Sequence, residues 1–250
     1  MGAAVVPVTL LAAELRWEEV IISAAAAGIL LLTAPGKSMI WNVAVIILCV
    51  ASALQSMRML SNFSPETESC WIAVILLILG IYGACKGKKE TAEGGILLLR
   101  LLGILLGGLL LSGFPEIRWE NINNEYGNSS PRWFCISLTI VLYLTVCVNQ
   151  QTAKKEAVKT WGIIILYAAA VSLAVQGMLG NYRENTGMRL YELSINVQYL
   201  GGMKRFESLI ILSVLLGIYL WISYLVRKIA DRTEQIRNEI KNRKKIEKTG

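Results

Sequence analysis

Long apolar runs alternate with short polar stretches along almost the whole chain, a pattern typical of a multi-pass α-helical membrane protein. The pattern predicts an all-α integral membrane bundle of about seven transmembrane helices. A shorter apolar segment, Gly2–Ala13, precedes them and is too short to span a bilayer, which takes about 20 residues. The seven predicted spans are Val20–Ala34, Ile40–Met57, Cys70–Cys85, Gly95–Gly113, Trp133–Asn149, Thr160–Gly180 and Ser208–Val226.

Lys and Arg residues are divided unequally between the two sides of this predicted bundle. With the N-terminal segment placed outside, 16 lie on the cytoplasmic side, 8 lie on the outer side, and Arg100 lies within a span. Cytoplasmic loops carry an excess of basic residues, so the division predicts a cytoplasmic C-terminus. It also divides the chain into a transmembrane domain, residues 1–226, and a basic cytoplasmic tail helix, residues 227–250.

The tail has two interpretations. Ile229, Ile236 and Ile240 form a narrow apolar stripe on an otherwise charged helix. The tail is either a solvated basic stop that fixes the orientation of the last span, or a surface that binds anionic lipid or a partner. The net charge of +7 resides largely in such membrane-flanking segments, so it does not indicate nucleic-acid binding.

The side-chain inventory argues against an enzyme. The chain has no His, and its one Asp is Asp231 in the tail. A His general base, a His-bearing zinc site and an aspartyl dyad are therefore excluded, and we expect no metal and no cofactor. The five Cys form no C-x-x-C pair, and we interpret them as small packing residues.

One predicted span carries two features of interest, a charge and a small-residue motif. Arg100 lies inside an apolar run, where a charge is costly, so it either extends to the interface or pairs structurally, or it serves a ligand or coupling pathway. Gly103 and Gly107 form a G-x-x-x-G motif, which lets another helix approach closely.

Two segments on the outer side are too polar to span the bilayer. Arg189–Gly202 is amphipathic and predicts a helix that lies over the outer face or enters the membrane partway. Glu192 lies within it, and Arg205 and Glu207 follow it. We expect them either to form interfacial caps and structural ion pairs, or to serve coupling with a carboxylate that faces a vestibule. The Asn-rich stretch Phe114–Arg132 is expected to be mostly irregular.

The order of these features resembles the spore germination permease family, the B subunits of GerA-type nutrient germinant receptors. The most specific stretch is Met188–Leu209, with Tyr-Glu-Leu followed by Arg205-Phe206-Glu207 and a span. Gly80–Arg100, Trp119–Ile122 and the half-length segment starting at Gly2 are similar to further family features.

The resemblance implies a truncated LeuT-like inverted-repeat fold of the amino acid–polyamine–organocation transporter superfamily. It also implies a role in sensing small nutrients, with A-type and C-type receptor subunits as partners in the inner spore or cytoplasmic membrane. A small amino acid would bind between helices, and the lining candidates are Gly2, Ala3, Thr139 and Tyr143.

The chain also departs from the family pattern. The first half of helix 1 and the last two helices are missing, and Leu138–Thr145 offers no Gly or Pro to break the sixth helix. We therefore expect a subunit that responds to nutrients rather than a pump. An amino acid secondary transporter and a non-transporting scaffold or degenerate paralogue are the alternatives.

Overall fold

The fold was analysed in a computed structural model. It describes residues 2–33, 39–63, 69–86, 93, 96–97, 100–101, 104, 108, 117–123, 132–147, 154–179, 189–190, 193 and 207–247. Eight helices can be bounded in these ranges: α1 Gly2–Glu14, α2 Trp17–Thr33, α3 Met39–Phe63, α4 Ser69–Lys86, α5 Trp119–Asn123, α6 Arg132–Cys147, α7 Lys154–Leu179 and α8 Glu207–Glu247.

The bundle is arranged around α1. This helix packs against α6, α7 and α8 at once. Nearly every side chain from Ala4 to Ala13 is buried, on all faces of the helix, and Val5 alone in that range is partly exposed. A helix that is apolar all round is stable only when other protein or lipid surrounds it, and here it lies at the centre of the bundle.

On one side of the bundle, α3 and α4 pack against α8. Trp221 Nε1 on α8 donates to Ser52 Oγ on α3 over 3.1 Å, and Arg232 NH1 donates to Asn42 Oδ1 over 2.9 Å, so α3 and α8 are antiparallel. On the neighbouring α4, Gly80 faces Ile222 and the Ala84 carbonyl accepts from Arg227 NH2 over 3.0 Å, so α4 and α8 are parallel.

The other side consists of α2, α6 and α7. Ser23 Oγ on α2 donates to the Cys135 carbonyl over 3.2 Å, and Thr139 Oγ1 on α6 donates to the Ser23 carbonyl over 3.3 Å. Gly28 lies against the indole of Trp161 on α7. Small side chains and hydroxyl groups at these contacts let the helix backbones approach closely, as is common between helices in membranes.

The exposed surface of the bundle is largely apolar. Ile22, Ile47, Ile78 and Leu166 are each exposed by 59% or more, on four different helices. Among the described residues, three stretches are long and apolar enough to cross a membrane: Met39–Met59, Trp161–Leu179 and Ile210–Asn242. Shorter apolar helices cover Ala4–Glu14, Val74–Cys85 and Trp133–Thr145. The all-helical class predicted from the sequence is confirmed for the described residues, and their apolar helices are compatible with a membrane bundle. The count of seven spans and the LeuT-like arrangement stay predictions.

Several predicted boundaries differ from the observed ones. Within the stretch Phe114–Arg132, predicted to be mostly irregular, Trp119–Asn123 forms the short helix α5. The predicted span Gly95–Gly113 is described at scattered positions only, which are helical. At the division predicted at Val226, α8 shows no interruption and continues to Glu247.

Candidate functional site around the first helix

Two side-chain hydrogen bonds join α1 to α7 inside the bundle. Thr9 Oγ1 donates to the Val5 carbonyl one turn earlier over 2.7 Å, and the same oxygen lies 2.7 Å from the Tyr167 hydroxyl on α7. Further along, Ser172 Oγ on α7 donates to the Leu15 carbonyl over 2.6 Å. The two contacts show that α1 and α7 run parallel, and they fix the position of α1 along α7.

The sequence of α1 explains why such contacts are needed. Pro7 lies inside the helix and has no backbone N–H to donate, so this turn is weaker than a regular one. Thr9 lies just after it. A buried hydroxyl without a partner would destabilise the fold, and the Thr9–Tyr167 bond satisfies both hydroxyl groups.

The end of α1 is held by a carboxylate. Glu14 Oε1 accepts from the backbone N–H of Arg189 over 2.6 Å, and nearby Leu190 and Leu193 are buried. The described part of the amphipathic segment therefore packs into the bundle beside the α1 terminus. The following helix is capped by its own side chain, because Arg16 N donates to Glu19 Oε2 over 2.9 Å.

The central helix α1 and α8 approach each other tightly at Gly217 on α8. A Cβ atom added there would lie 2.7 Å from Val6 Cγ1, and still closer to the remaining atoms of that side chain. No side chain larger than hydrogen fits without movement of α1 or α8. Gly217 therefore sets the distance between the central helix and the longest helix.

The short helix α5 and the two residues before it cover the end of α7. The Gly177 carbonyl accepts from Arg118 N over 3.1 Å and from Asn121 Nδ2 over 3.2 Å, which satisfies a carbonyl of the last turn of α7. Ile117 lies close above Gly177. Gln176 is buried, and its Oε1 has no hydrogen-bond partner among the described residues.

Two of the predicted ligand-lining residues have described surroundings, and both lie between helices. Thr139 and Tyr143 lie one turn apart on α6, but they contact different helices. Thr139 bonds to backbone carbonyls of Cys135 and Ser23, whereas Tyr143 is fully buried and lies edge-on to Trp41, with ring centroids 5.8 Å apart. Gly2 and Ala3 belong to the first turn of α1, and their surroundings lie outside the described residues.

The other predicted residues are described only in part. Arg100 is helical and exposed at its described position, and its role stays a prediction. Glu207 begins α8, without a described side-chain environment. Glu192, Arg205, Gly103 and Gly107 lie outside the described residues, so the proposed ion pairs and the packing motif also stay predictions.

The chemistry available inside the described bundle is that of hydroxyl and amide groups. The buried polar side chains there are Thr9, Ser23, Asn42, Ser52, Ser56, Ser137, Thr145, Ser172, Gln176, Ser213 and Ser223, and none of them carries a charge. No group of three metal-binding side chains occurs within the described ranges. Such groups suit hydrogen bonding to a neutral or zwitterionic molecule, or between helices, rather than proton transfer.

Sequence reasoning missed the hydroxyl pair Thr9–Tyr167 and the contact of Ser172 with Leu15. The available signal was the position of single hydroxyl residues within apolar runs, which is costly in a membrane unless a partner lies nearby. The pairing itself joins residues 158 positions apart, so only the tertiary structure identifies it. Comparison of the chain with family models, curated proteins and solved structures found no match.

Proposed function

We propose that this chain is a germination-permease-like membrane subunit that senses a small nutrient, with α1 as its responsive element. The observation that carries the proposal is the burial of a half-length helix at the centre of the bundle. It is held by the Thr9–Tyr167 and Ser172–Leu15 hydrogen bonds. The family assignment itself comes from the sequence resemblance at Met188–Leu209 and the neighbouring stretches.

The contacts of α1 make it suited to a two-state response. It packs simultaneously against α6, α7 and α8, so a small displacement changes three interfaces. Its hydrogen bonds to α7 are few and local, and each contributes on the order of 1 kcal/mol within a membrane bundle. A ligand with different affinity for two positions of α1 would shift their populations.

The composition of the bundle interior favours a nutrient-sensing role over active transport. Proton- and ion-coupled transport uses buried ionisable groups or unwound helices near the membrane centre. The described interior holds no buried charged side chain, and α6 continues unbroken from Arg132 to Cys147. We infer that nutrient binding is detected by partner subunits of the A and C types in the same membrane.

Two measurements on the full chain in lipid nanodiscs and liposomes test the proposal. Thermal unfolding is followed with each of the common amino acids, and at least one should raise Tm saturably, because a ligand that binds the folded state stabilises it. Uptake of the same radiolabelled amino acid into liposomes should remain at background. Robust, saturable uptake by this chain alone would return the secondary transporter to first place.

A matched pair of variants connects the response to α1. Thr9→Val removes the hydroxyl that contacts Tyr167, whereas Thr233→Val removes the same kind of bond, a hydroxyl to a carbonyl one turn earlier over 2.7 Å, in the exposed tail. The ligand-induced rise in Tm should diminish in Thr9→Val and persist in Thr233→Val. An equal ligand-induced rise in Tm in both variants would mean that ligand binding does not depend on α1.

A non-transporting scaffold is the second candidate. It is favoured by the packing of Thr139 and Tyr143, whose side chains are both used between helices. A scaffold would show no change in Tm with any amino acid and would still copurify with the A-type and C-type subunits.

A further inference from the structure

A buried glutamine near the end of α7 has only half of its side-chain amide satisfied. Gln176 is 6% exposed. Its Nε2 donates to the Ile122 carbonyl of α5 over 3.5 Å, which is long for a hydrogen bond, and its Oε1 has no partner among the described residues. Buried polar side-chain atoms almost always have a partner, because an unmade hydrogen bond destabilises the fold. The unpartnered Oε1 therefore indicates a hydrogen-bond donor from outside the described chain.

Gln176 lies where two parallel helices end. Ser172, one turn earlier on the same face of α7, donates to the Leu15 carbonyl just beyond α1. Because α1 ends at Glu14 and α7 at Leu179, the C-terminal ends of both helices lie on the same side of the bundle. The C-terminus of a helix carries a partial negative charge, and the Glu14 carboxylate adds to it. These surroundings favour a donor with a positive charge.

We propose that Gln176 Oε1 binds the ammonium group of an amino acid with a small apolar side chain. The inference rests on the proposed nutrient-sensing function and names the group that the chain recognises. The side chains of Ile117 and Ile122 lie against Gly177, the residue after Gln176, and give this end of α7 an apolar wall. An apolar side chain of the ligand fits beside such a wall.

The charges at this end favour a zwitterion over a simple amine. Arg118 precedes α5, and Arg189 lies beside the end of α1, where its backbone N–H donates to Glu14 Oε1. Both arginines bring positive charge, which would oppose an amine without a second group. The carboxylate of a zwitterionic amino acid can face an arginine while its ammonium group faces the acceptors.

The short helix α5 covers Gln176 and acts as its lid. With five residues, α5 is too short to be stable on its own. Its described hydrogen bonds to α7 are those of Arg118 N and Asn121 Nδ2 to the single Gly177 carbonyl, and the long bond from Gln176. Few bonds therefore break when α5 moves aside to admit a ligand. A ligand at Oε1 would lie one turn of α7 from the Ser172–Leu15 bond, which connects it to α1.

The substitution Gln176→Leu tests the site in the full chain in lipid nanodiscs. Without ligand, the variant should keep or exceed the parental Tm, because it loses one long hydrogen bond and an acceptor that had none. The concentration of L-alanine or L-valine that gives half the maximal rise in Tm should increase at least about tenfold, because a hydrogen bond to a charged group is lost. The control Gln55→Leu makes the same substitution at a partly exposed position of α3 and should respond as the parent does.

The ammonium group is tested with matched probes. Propionate and 3-methylbutanoate have the carbon skeletons of L-alanine and L-valine without the ammonium group, so neither should raise the Tm of the parent. An equal response of Gln176→Leu and the parent to the amino acids would mean that Oε1 holds only an ordered water molecule, and the inference would fall while the sensing function stood. A parental response to propionate as strong as that to L-alanine would also overturn it. A parent that responds to neither L-alanine nor L-valine contradicts this inference alone, whereas one that responds to none of the common amino acids contradicts the proposed function as well.

Discussion

Glycine at single positions decides how closely the helices of this bundle approach. At Gly217 an added Cβ would collide with Val6, whereas at Gly162 on α7 it would meet no atom within 4 Å. Both residues lie in helices, where Gly is intrinsically unfavourable relative to Ala by about 1 kcal/mol. The space around each glycine, rather than its propensity, therefore determines the effect of a larger side chain.

We predict opposite effects for Gly217→Ala and Gly162→Ala. Overpacking costs about 1–3 kcal/mol and exceeds the gain in propensity, so Gly217→Ala should lower Tm in detergent. Gly162→Ala should leave Tm unchanged or raise it. Adding Val6→Ala to Gly217→Ala should restore part of the loss, because neighbouring substitutions are not additive. Equal effects of the two single substitutions would contradict the contact between α1 and α8.

At the scale of elements, α8 organises the bundle by contacting α1, α3 and α4 along its length. Its anchor at the tail end of the bundle is polar. Asn42 is 2% exposed, and its Oδ1 accepts from Arg232 NH1. A buried amide oxygen that loses its hydrogen-bond donor destabilises the fold by about 1–3 kcal/mol, because no hydrogen bond then replaces the one that the oxygen would make with water.

Two arginines on α8 distinguish the contribution of the Asn42 contact to stability from a general effect of charge. Arg232→Met should destabilise the bundle by about 1–3 kcal/mol, because Asn42 Oδ1 loses its partner. Arg237→Met, one and a half turns further along the exposed tail, should change the stability by less than about 0.5 kcal/mol. Chemical denaturation of the detergent-solubilised chain measures both. A loss of the same size in both variants would mean that charge, not the Asn42 contact, is responsible.

At the scale of the whole molecule, the helix directions give one end of the bundle a basic character. The contacts of Trp41 with Tyr143 and of Arg58 with Trp133 make α3 antiparallel to α6, as it is to α8. The start of α3 and the ends of α4 and α6 therefore lie at the end from which the tail of α8 leaves. The sequence places most of its loop lysines beside these helix ends.

The positive-inside distribution predicts that this basic end is cytoplasmic. In a background in which all five native cysteines are replaced by serine, a cysteine at Asn242 in the tail should react with an impermeant thiol reagent only after the cells are permeabilised. A cysteine at Glu120, exposed on α5 at the opposite end, should react in intact cells. Labelling of the tail cysteine in intact cells would reverse the orientation.

Much of the helix content was predictable because the apolar runs themselves specify it. The predicted span Ile40–Met57 lies within α3, and Thr160–Gly180 largely coincides with the apolar part of α7. The helix α5 was not predicted. Its polar residues carry no hydrophobic period, and it is stabilised by contacts of Arg118 and Asn121 with the distant Gly177. The predicted ligand-lining residues Thr139 and Tyr143 were placed on the correct helix, but packing gives them different neighbours.

The sequence by itself determined the helical class, the long apolar runs and the narrow apolar stripe of the tail, because these follow from the local order of apolar and polar residues. Only the tertiary structure decided that the half-length first segment is the centre of the bundle. It also decided that Thr9 meets Tyr167 and that α8 passes from the bundle into the tail without a break. An apolar helix is equally compatible with lipid and with protein on every side. Which of them surrounds it depends on close packing with distant segments, such as Val6 on Gly217, that the local sequence of α1 does not contain.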